Sequence, residues 1–239
     1  MAKRARKQHS KNSFNDMVVE LKTYQRKKIT ILPRNVHQED YIDLLTDHKK
    51  SIVFATGPAG TGKTMLAVQM GIKMFDEGKV KKIVITRPAV SVDEQHGFLP
   101  GTLEQKMAPW TRPIFDVLEE HYGVKHVERM LEEKEIEISP LAYMRGRTFK
   151  ECWIVADEMQ NATQEQMKML LTRIGEGSKI VVTGDLAQHD RGYNDNGLKD
   201  FTVRISQKNT HTIGCVHFTR KDVERHPSVV EVLNLYDEE

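Results

Sequence analysis

Short runs of β-branched and apolar residues alternate with longer segments of helical periodicity along most of this chain. The five principal runs each have the composition of a buried strand and occupy residues 51–56, 82–86, 152–156, 179–183 and 213–218. Such alternation is typical of crossover units, and uninterrupted apolar strands suit a parallel sheet that helices cover on both faces. The pattern predicts one three-layer α/β domain, with a mostly parallel sheet flanked by helices, from about residue 29 to residue 239.

Two regions depart from this alternation. Residues 1–28 are polar and basic, with one weakly amphipathic helical stretch over 14–24, and we interpret them as an N-terminal arm. Residues 91–143 contain three helical stretches and one short strand, predicted at 102–107, 113–121, 125–132 and 135–138. We interpret this second region as an insertion that decorates the sheet.

A glycine-rich segment follows the first predicted strand directly. Its residues match the P-loop pattern and are Gly57, Pro58, Ala59, Gly60, Thr61, Gly62, Lys63 and Thr64. Glycines let several backbone N–H groups turn toward one phosphate chain, and a helix predicted over about 62–75 presents its positive end there. The motif assigns Lys63 to the β and γ phosphates and Thr64 to Mg²⁺. A glycine turn without a ligand is the alternative, but the strand-to-helix context favours a nucleoside triphosphate.

Acidic and amide side chains stand where two later strands end. Asp157 and Glu158 follow the strand at 152–156, and Gln188 lies in the loop after the strand at 179–183. We expect Asp157 to hold the Mg²⁺ shell with Thr64, Glu158 to orient or deprotonate the attacking water, and Gln188 to sense the γ-phosphate. The alternatives are helix caps for the acids and a loop amide bonded to nearby backbone for Gln188.

An amide side chain also precedes the P-loop. Gln38 stands near the start of a helix that we expect to reach about residue 45. A glutamine donates and accepts hydrogen bonds at once, which suits the N6 and N7 edge of adenine. Gln38 is therefore a candidate for recognition of the base of ATP.

The composition of the chain indicates where the protein is located, but it says little about what the protein binds. The net charge is only +2, and we find neither a window of about 18 uncharged apolar residues nor a secretory signal, so we expect a cytoplasmic protein without a membrane partner. Basic residues crowd the arm, which suits either contact with nucleic-acid phosphates or a solvated tail. Cys152 and Cys215 fall in apolar runs and are expected to be buried thiols without chemistry.

Five blocks of the sequence together resemble the PhoH-like ATPase family. They occupy residues 57–64, 86–90, 157–163, 184–188 and 222–227, and the resemblance runs from about residue 32 to the C-terminus. That family is related to RecA-like proteins and superfamily 1 helicases, so the resemblance implies a single RecA-like domain with ATP and Mg²⁺ as cofactors. It supports the roles given above to Gln38, Lys63, Thr64, Asp157, Glu158 and Gln188. Met159 replaces the alanine of the helicase-like Asp-Glu-Ala-Gln motif and is expected to pack.

Superfamily 1 helicases close ATP between two RecA-like domains, whereas this chain has room for one. We therefore expect a neighbouring subunit to supply an arginine finger, in a homo-oligomer that the resemblance implies to be a hexameric ring. Arg225 is the leading finger candidate, followed by Arg191, Arg145 and Arg147. No PIN nuclease sequence is present, so nuclease activity is not predicted.

Three arginines are candidates for contact with nucleic acid. Arg145 and Arg147 lie in a loop with aromatic residues, and Arg87 follows the second strand, where related helicases touch single strands. Exposed surface arginines, or arginines at a subunit contact, would give the same sequence. The hypothesis is an Mg²⁺-dependent ATPase that binds or unwinds RNA or single-stranded nucleic acid. The alternative is an ATP-gated switch that acts on protein partners, with a small-molecule phosphotransferase as a remote third.

Overall fold

A computed structural model describes residues 29–88, 103–188 and 196–224, together with positions 228, 231 and 235. Within these residues the strands are β1 (Ile52–Thr56), β2 (Lys82–Thr86), β3 (Ile136–Ile138), β4 (Cys152–Ala156), β5 (Lys179–Gly184) and β6 (Ile213–His217). The α-helices are α1 (Val36–Thr46), α2 (Lys63–Asp76), α3 (Leu103–Tyr122), α4 (Val124–Glu132), α5 (Gln164–Leu171) and α6 (Gly197–Ser206). The predicted arm at 1–28 and its helix lie outside the described residues.

The six strands form one sheet in the order β3-β2-β4-β5-β1-β6. Every paired strand in it is parallel, which confirms the predicted fold class and the parallel sheet. Each predicted strand matches an observed one to within a residue at either end. The central strands are buried on both faces, since helices α1 to α4 pack on one face and α5 and α6 on the other.

The P-loop helix α2 approaches the sheet closely at one point. A Cβ atom on Gly71 would lie 2.6 Å from Cδ1 of Trp153, so only glycine fits between this helix and β4. The indole N–H of Trp153 donates to the backbone oxygen of Ala67 at 3.0 Å. This packing fixes α2 over β4 and thereby sets the start of the helix beside the end of that strand.

The region predicted as an insertion is more closely integrated than we expected. Strand β3 pairs with β2 and forms one edge of the sheet, so the region contributes to the sheet itself. The two helices expected at 102–107 and 113–121 are one continuous helix, α3, which runs through Pro109 and Pro113. Buried Ile114 and Leu118 hold it on the core, and this tertiary packing overrides the break that the prolines suggested.

Two smaller expectations have opposite outcomes. Cys152 is buried, but Cys215 is exposed because alternate residues of the edge strand β6 face outward, so the expectation of a buried thiol was wrong there. Met159 is fully buried and packs in the core, as expected. No helix in the described part of the chain is long and apolar enough to cross a membrane.

Candidate nucleotide-binding site

Strands β4, β5 and β1 are neighbours, and their carboxyl ends lie at one edge of the sheet. Open α/β sheets bind ligands at this edge because the loops that follow the strands converge there. A cavity of about 300 Å³ lies at this place. Its lining comes from the P-loop and from the loops after β4 and β5, and consists of Ala59, Gly60, Gly62, Lys63, Thr64, Met65, Asp157, Glu158, Gly184, Asp185 and Gln188. The structure thus brings together five side chains that the sequence predicted separately.

The P-loop backbone requires glycine at two positions. Gly57 has φ of +136°, and a Cβ atom there would lie 2.3 Å from the backbone oxygen of Phe218. Gly62 has φ of +81° at the residue before α2, where a left-handed conformation starts the helix. The loop therefore turns sharply between β1 and α2 and directs the N-terminus of α2 at the cavity.

The side chain of Lys63 lies folded inside its own loop. Its Nζ donates to the backbone oxygens of Gly57 at 2.7 Å and Pro58 at 2.6 Å, and to Oγ1 of Thr61 at 3.2 Å. Burial lowers the pKa of Lys63, and the nearby charges of Asp185, Asp157 and Glu158 act against that shift. Lys63 is thus a buried cation beside a cavity, bonded to carbonyl oxygens that a phosphate can replace.

Asp157 receives hydroxyl groups from two directions. Thr64 Oγ1 donates to Asp157 Oδ1 at 2.7 Å, and Thr183 Oγ1 donates to the same oxygen at 2.6 Å. Hydroxyl and carboxylate oxygens are the hard ligands that Mg²⁺ prefers, so this pair fits the ion. Sequence reasoning missed Thr183, which the parallel register of β4 and β5 would have placed beside Asp157.

Glu158 has an unusual backbone conformation. Its φ of 55° and ψ of 35° lie in the left-handed region, which is uncommon for residues other than glycine and is often seen at functional sites. Its side chain is 44% exposed and so reaches the open part of the site. The helix-cap alternative for the acids does not hold, because Thr163 caps α5 with its own side chain.

Gln160 joins the loops after β4 and β5; it belongs to the helicase-like motif quoted above but was given no role there. Its Nε2 donates to Glu158 Oε2 at 2.5 Å, and its Oε1 accepts from the backbone N–H of Asp185 at 3.2 Å. Gln188 lines the cavity as predicted, and its backbone N–H donates to the Asp185 oxygen at 3.3 Å. The loops after β4 and β5 are therefore held in one arrangement by side chains of the Asp157–Asn161 segment.

Gln38 contacts the P-loop. Its Nε2 donates to the backbone oxygen of Thr61 at 3.1 Å, and its Oε1 accepts from the backbone N–H of Arg34 at 2.9 Å. A Cβ atom on Gly62 would lie 3.1 Å from this amide nitrogen. The adenine contact of Gln38 stays a prediction, and each of these two groups keeps one further hydrogen-bonding position for a base.

Arg87 does not line the cavity itself but is paired with two carboxylates that do. Its Nη2 is 3.1 Å from Asp157 Oδ2 and 3.0 Å from Glu158 Oε1, and its side chain is only 17% exposed. Its Nη1 donates to the backbone oxygen of Trp110 in α3. A contact with nucleic acid, as expected from sequence, would require these ion pairs to open.

Of the remaining arginine candidates, the structure describes Arg145 and Arg147. Arg147 pairs with Glu137 at 2.5 Å and covers the ring of Phe149 at 4.5 Å, so it has a structural role along β3. Arg145 is exposed, next to Tyr143, whose exposed fraction is 65%. Arg225 and Arg191 lie outside the described residues. The backbone N–H of Glu224, immediately before Arg225, donates to the P-loop oxygen of Gly60 at 2.9 Å.

A loop that bends around its own lysine at a helix start, with a carboxylate at the end of a strand two places away in the same parallel sheet, defines the class of P-loop nucleoside triphosphatases. The family described as PhoH-like protein matches residues 30–237, and the chain belongs to that family.

Two curated relatives and one solved structure illustrate the similarity. The chain is 41% identical over 228 residues to a PhoH-like protein of Bacillus subtilis (strain 168), which covers 95% of this chain and 70% of the relative. It is 39% identical over 210 residues to Protein PhoH of Escherichia coli (strain K12), covering 86% of this chain and 58% of the relative. The chain thus spans well under the full length of these relatives. The Sulfolobus solfataricus SWI2/SNF2 ATPase core in complex with dsDNA aligns with a TM-score of 0.46 at 13% identity, over 89% of this chain and 54% of that one.

Proposed function

We propose that this protein hydrolyses ATP with Mg²⁺ and couples hydrolysis to the binding or unwinding of RNA or single-stranded nucleic acid. The observation that carries the ATPase half is the 2.7 Å bond between Thr64 and Asp157, with Glu158 beside it in the same cavity. A metal-ligating hydroxyl, a carboxylate and a candidate base are the parts that phosphoryl transfer to water requires.

Each residue of the site has its own role in the proposed reaction. The P-loop N–H groups and the end of α2 bind the phosphates, and Lys63 exchanges its loop carbonyls for the β and γ phosphates. Thr64 and Asp157 would hold Mg²⁺, which supplies charge neutralisation for the phosphates when bound. Glu158 orients and deprotonates the attacking water, while Gln188 contacts the γ-phosphate from the loop after β5.

The nucleic-acid half of the proposal depends on surface chemistry. Tyr143 and Arg145 are both exposed in the segment after β3, and an aromatic ring and a guanidinium are suited to a single strand, by stacking and by phosphate contact. We also propose that the protein works in the cytoplasm as a homo-oligomer, with a hexameric ring as the expected form. In such a ring Arg225 of a neighbouring subunit is the candidate finger.

Steady-state ATP hydrolysis tests the proposal. Wild-type protein and the Glu158→Gln variant are assayed with Mg²⁺, with and without single-stranded RNA, at low and moderate salt, because phosphate contacts weaken steeply with salt. We expect turnover that RNA stimulates in the wild type and a loss of roughly 10²-fold or more in the variant. Absence of turnover in the wild type would refute the ATPase proposal.

An ATP-gated switch is the second candidate function, and one observation favours it. The P-loop is bonded to the segment after β6, since Phe218 lies against Gly57 and Glu224 donates to Gly60. A nucleotide that rearranges the loop would therefore move this segment and alter a partner surface. Hydrolysis that is slow and indifferent to RNA and DNA would favour the switch over the motor.

A further inference from the structure

The position of Arg87 is fixed by the backbone on both sides of it. The Thr86 oxygen accepts from the N–H of Asp157 at 3.0 Å, so the ends of β2 and β4 are in register. The Arg87 oxygen accepts from the N–H of Leu141 at 3.4 Å. The guanidinium is therefore held against the end of β4 and is not a free surface side chain.

A single nitrogen of Arg87 bridges the two carboxylates on which hydrolysis depends. Nη2 lies within 3.1 Å of one oxygen of Asp157 and one of Glu158. The other oxygen of Asp157 accepts from Thr64 and Thr183, and the other oxygen of Glu158 accepts from Gln160. With Arg87 in place, a donor nitrogen occupies the space between the metal-holding carboxylate and the water-activating carboxylate.

The same guanidinium connects this space to a helix on the surface. Nη1 donates to the backbone oxygen of Trp110 in α3, and the side chain of Trp110 is 37% exposed. The guanidinium therefore contacts α3 through Nη1 and the two carboxylates through Nη2. A displacement of α3 at Trp110 would remove one of its three acceptors and so weaken the hold on the guanidinium.

The arrangement also leaves one donor unused. Nε of Arg87 is buried and has no hydrogen-bond partner in the described part of the structure. A buried donor without a partner disfavours the conformation that buries it. The bridge is thus one that a competing interaction can open.

From these contacts we propose that Arg87 restrains hydrolysis in the resting protein by holding Asp157 and Glu158 together, and that displacement of α3 at Trp110 releases the restraint. The inference rests on the proposed ATPase function, and it adds the path by which a partner on α3 controls that activity. Arg87 is a positioning residue here, since it acts through the two carboxylates. Its positive charge also opposes binding of Mg²⁺ next to Asp157.

The test compares Arg87→Ala and Arg87→Lys with a matched control, Arg112→Ala. Arg112 is an exposed arginine of the same helix α3 that pairs with Asp116 and Glu119 and is not among the residues that line the cavity. For each protein we measure kcat and KM for ATP, with and without single-stranded RNA. We also measure the Mg²⁺ concentration that half-saturates binding of a fluorescent, non-hydrolysable ATP analogue.

We expect Arg87→Ala to raise the RNA-independent kcat, and to lower the half-saturating Mg²⁺ concentration, each by roughly tenfold, the effect of one charge contact at a partly exposed site. The factor by which RNA stimulates kcat should shrink accordingly. Arg87→Lys keeps the charge but cannot reach both carboxylates and Trp110, so it should fall between wild type and Arg87→Ala. Arg112→Ala should match the wild type.

Three outcomes would overturn the inference. A fall in kcat for Arg87→Ala would make Arg87 a contributor to the transition state, an unchanged kcat would make it a structural ion pair, and an unchanged Mg²⁺ dependence would remove its effect on the metal site. The binding readout separates this inference from the proposed function. If the wild type binds the analogue but hydrolyses nothing, the ATPase proposal fails while the Mg²⁺ shift in Arg87→Ala still tests the restraint.

Discussion

Two lysines with several backbone acceptors each, buried Lys63 and half-buried Lys179, stand at opposite edges of the same sheet. Lys63, at the carboxyl edge, donates to three acceptors of the P-loop, whereas Lys179, at the amino edge, donates to the backbone oxygens of Leu44, Leu45 and Asp47. Burial lowers the pKa of both side chains. The two lysines differ in where their acceptors lie, at the end of a helix for Lys179 and in a loop beside a cavity for Lys63.

Two acceptors of Lys179 are carbonyls in the last turn of α1, and the third belongs to Asp47, which follows the helix and also accepts from the N–H of Lys50. Lys179 completes that helix end permanently, and its ammonium suits the negative end of the helix dipole. The acceptors of Lys63 belong to a loop beside a cavity with three carboxylates around it. Lys179 therefore stabilises the end of α1, whereas Lys63 stands at a position where an anion could bind.

Buried polar atoms without hydrogen-bond partners also distinguish the carboxyl edge of the sheet. Four buried side-chain atoms in the described residues lack a hydrogen-bond partner: Thr86 Oγ1, Arg87 Nε, Asn35 Nδ2 and Asn196 Nδ2. Thr86 and Arg87 end β2, and the two asparagines cap helices that start near the catalytic loops. Unsatisfied groups cost stability, so their concentration at the carboxyl edge indicates an edge built for function.

The largest expected effect is on nucleotide binding at the carboxyl edge. Lys63→Ala removes the cation that meets the β and γ phosphates, so ATP affinity should fall by roughly 10²-fold or more. Titration with a fluorescent ATP analogue measures this. The fold should persist, since the change leaves the hydrophobic core intact, and circular dichroism checks it. Wild-type affinity in the variant would contradict the assignment of Lys63.

The matched change at the amino edge should affect stability and leave binding intact. Lys179→Met keeps the aliphatic stem but removes the donor to the carbonyls of Leu44 and Leu45, while that of Asp47 keeps the N–H of Lys50, so the free energy of unfolding should fall by about 1–3 kcal/mol. Urea denaturation measures the loss. If Lys179→Met instead weakened ATP binding as strongly as Lys63→Ala, the division between the two edges would not hold.

A smaller effect is expected at the metal position. Thr183→Val removes one of the two hydroxyls on Asp157 Oδ1 without touching Thr64, and should raise the half-saturating Mg²⁺ concentration roughly tenfold, as other changes beside metal ligands do. Thr46→Val, whose hydroxyl bonds only to α1 backbone at the opposite edge, is the control and should leave Mg²⁺ dependence unchanged. Equal behaviour of the two variants would mean that Thr183 does not organise the site.

A pH dependence of stability is also expected at the amino edge. The pKa of Lys179 is lowered from 10.5 to about 8 by burial, so between pH 8 and 10.5 the unfolded chain binds more protons than the folded one. Stability contributed by Lys179 should therefore rise with pH across that window. Urea midpoints of wild type and Lys179→Met from pH 7 to 10 measure the difference. A difference that is constant or shrinks with pH would contradict the assigned shift.

The fold was largely predictable, because apolar strands and a glycine-rich loop are patterns of residues that are adjacent in sequence. Lys63, Thr64, Asp157, Glu158 and Gln188 follow from motifs in the same way, and the structure places all five around one cavity. The join of two predicted helices into α3 was not predictable, since buried contacts decided it against the prolines.

The contacts between strands were harder to foresee. Thr183 meets Asp157 only because β4 and β5 are adjacent in a particular register, and Arg87 meets the carboxylates because β2 lies on the other side of β4. Strand order brings these residues together across long stretches of sequence. Local patterns therefore identify the residues that carry chemistry, and topology decides which others hold them.

Amide hydrogen exchange with and without ATP analogue and Mg²⁺ tests most directly whether the carboxyl edge is the nucleotide site. We predict that the nucleotide protects residues 57–64, 157–161 and 184–188, and that exchange at 44–47 and 179–181 stays unchanged because the amino edge is already closed. Protection confined to the amino edge, or absent from the P-loop at saturating nucleotide, would contradict the account.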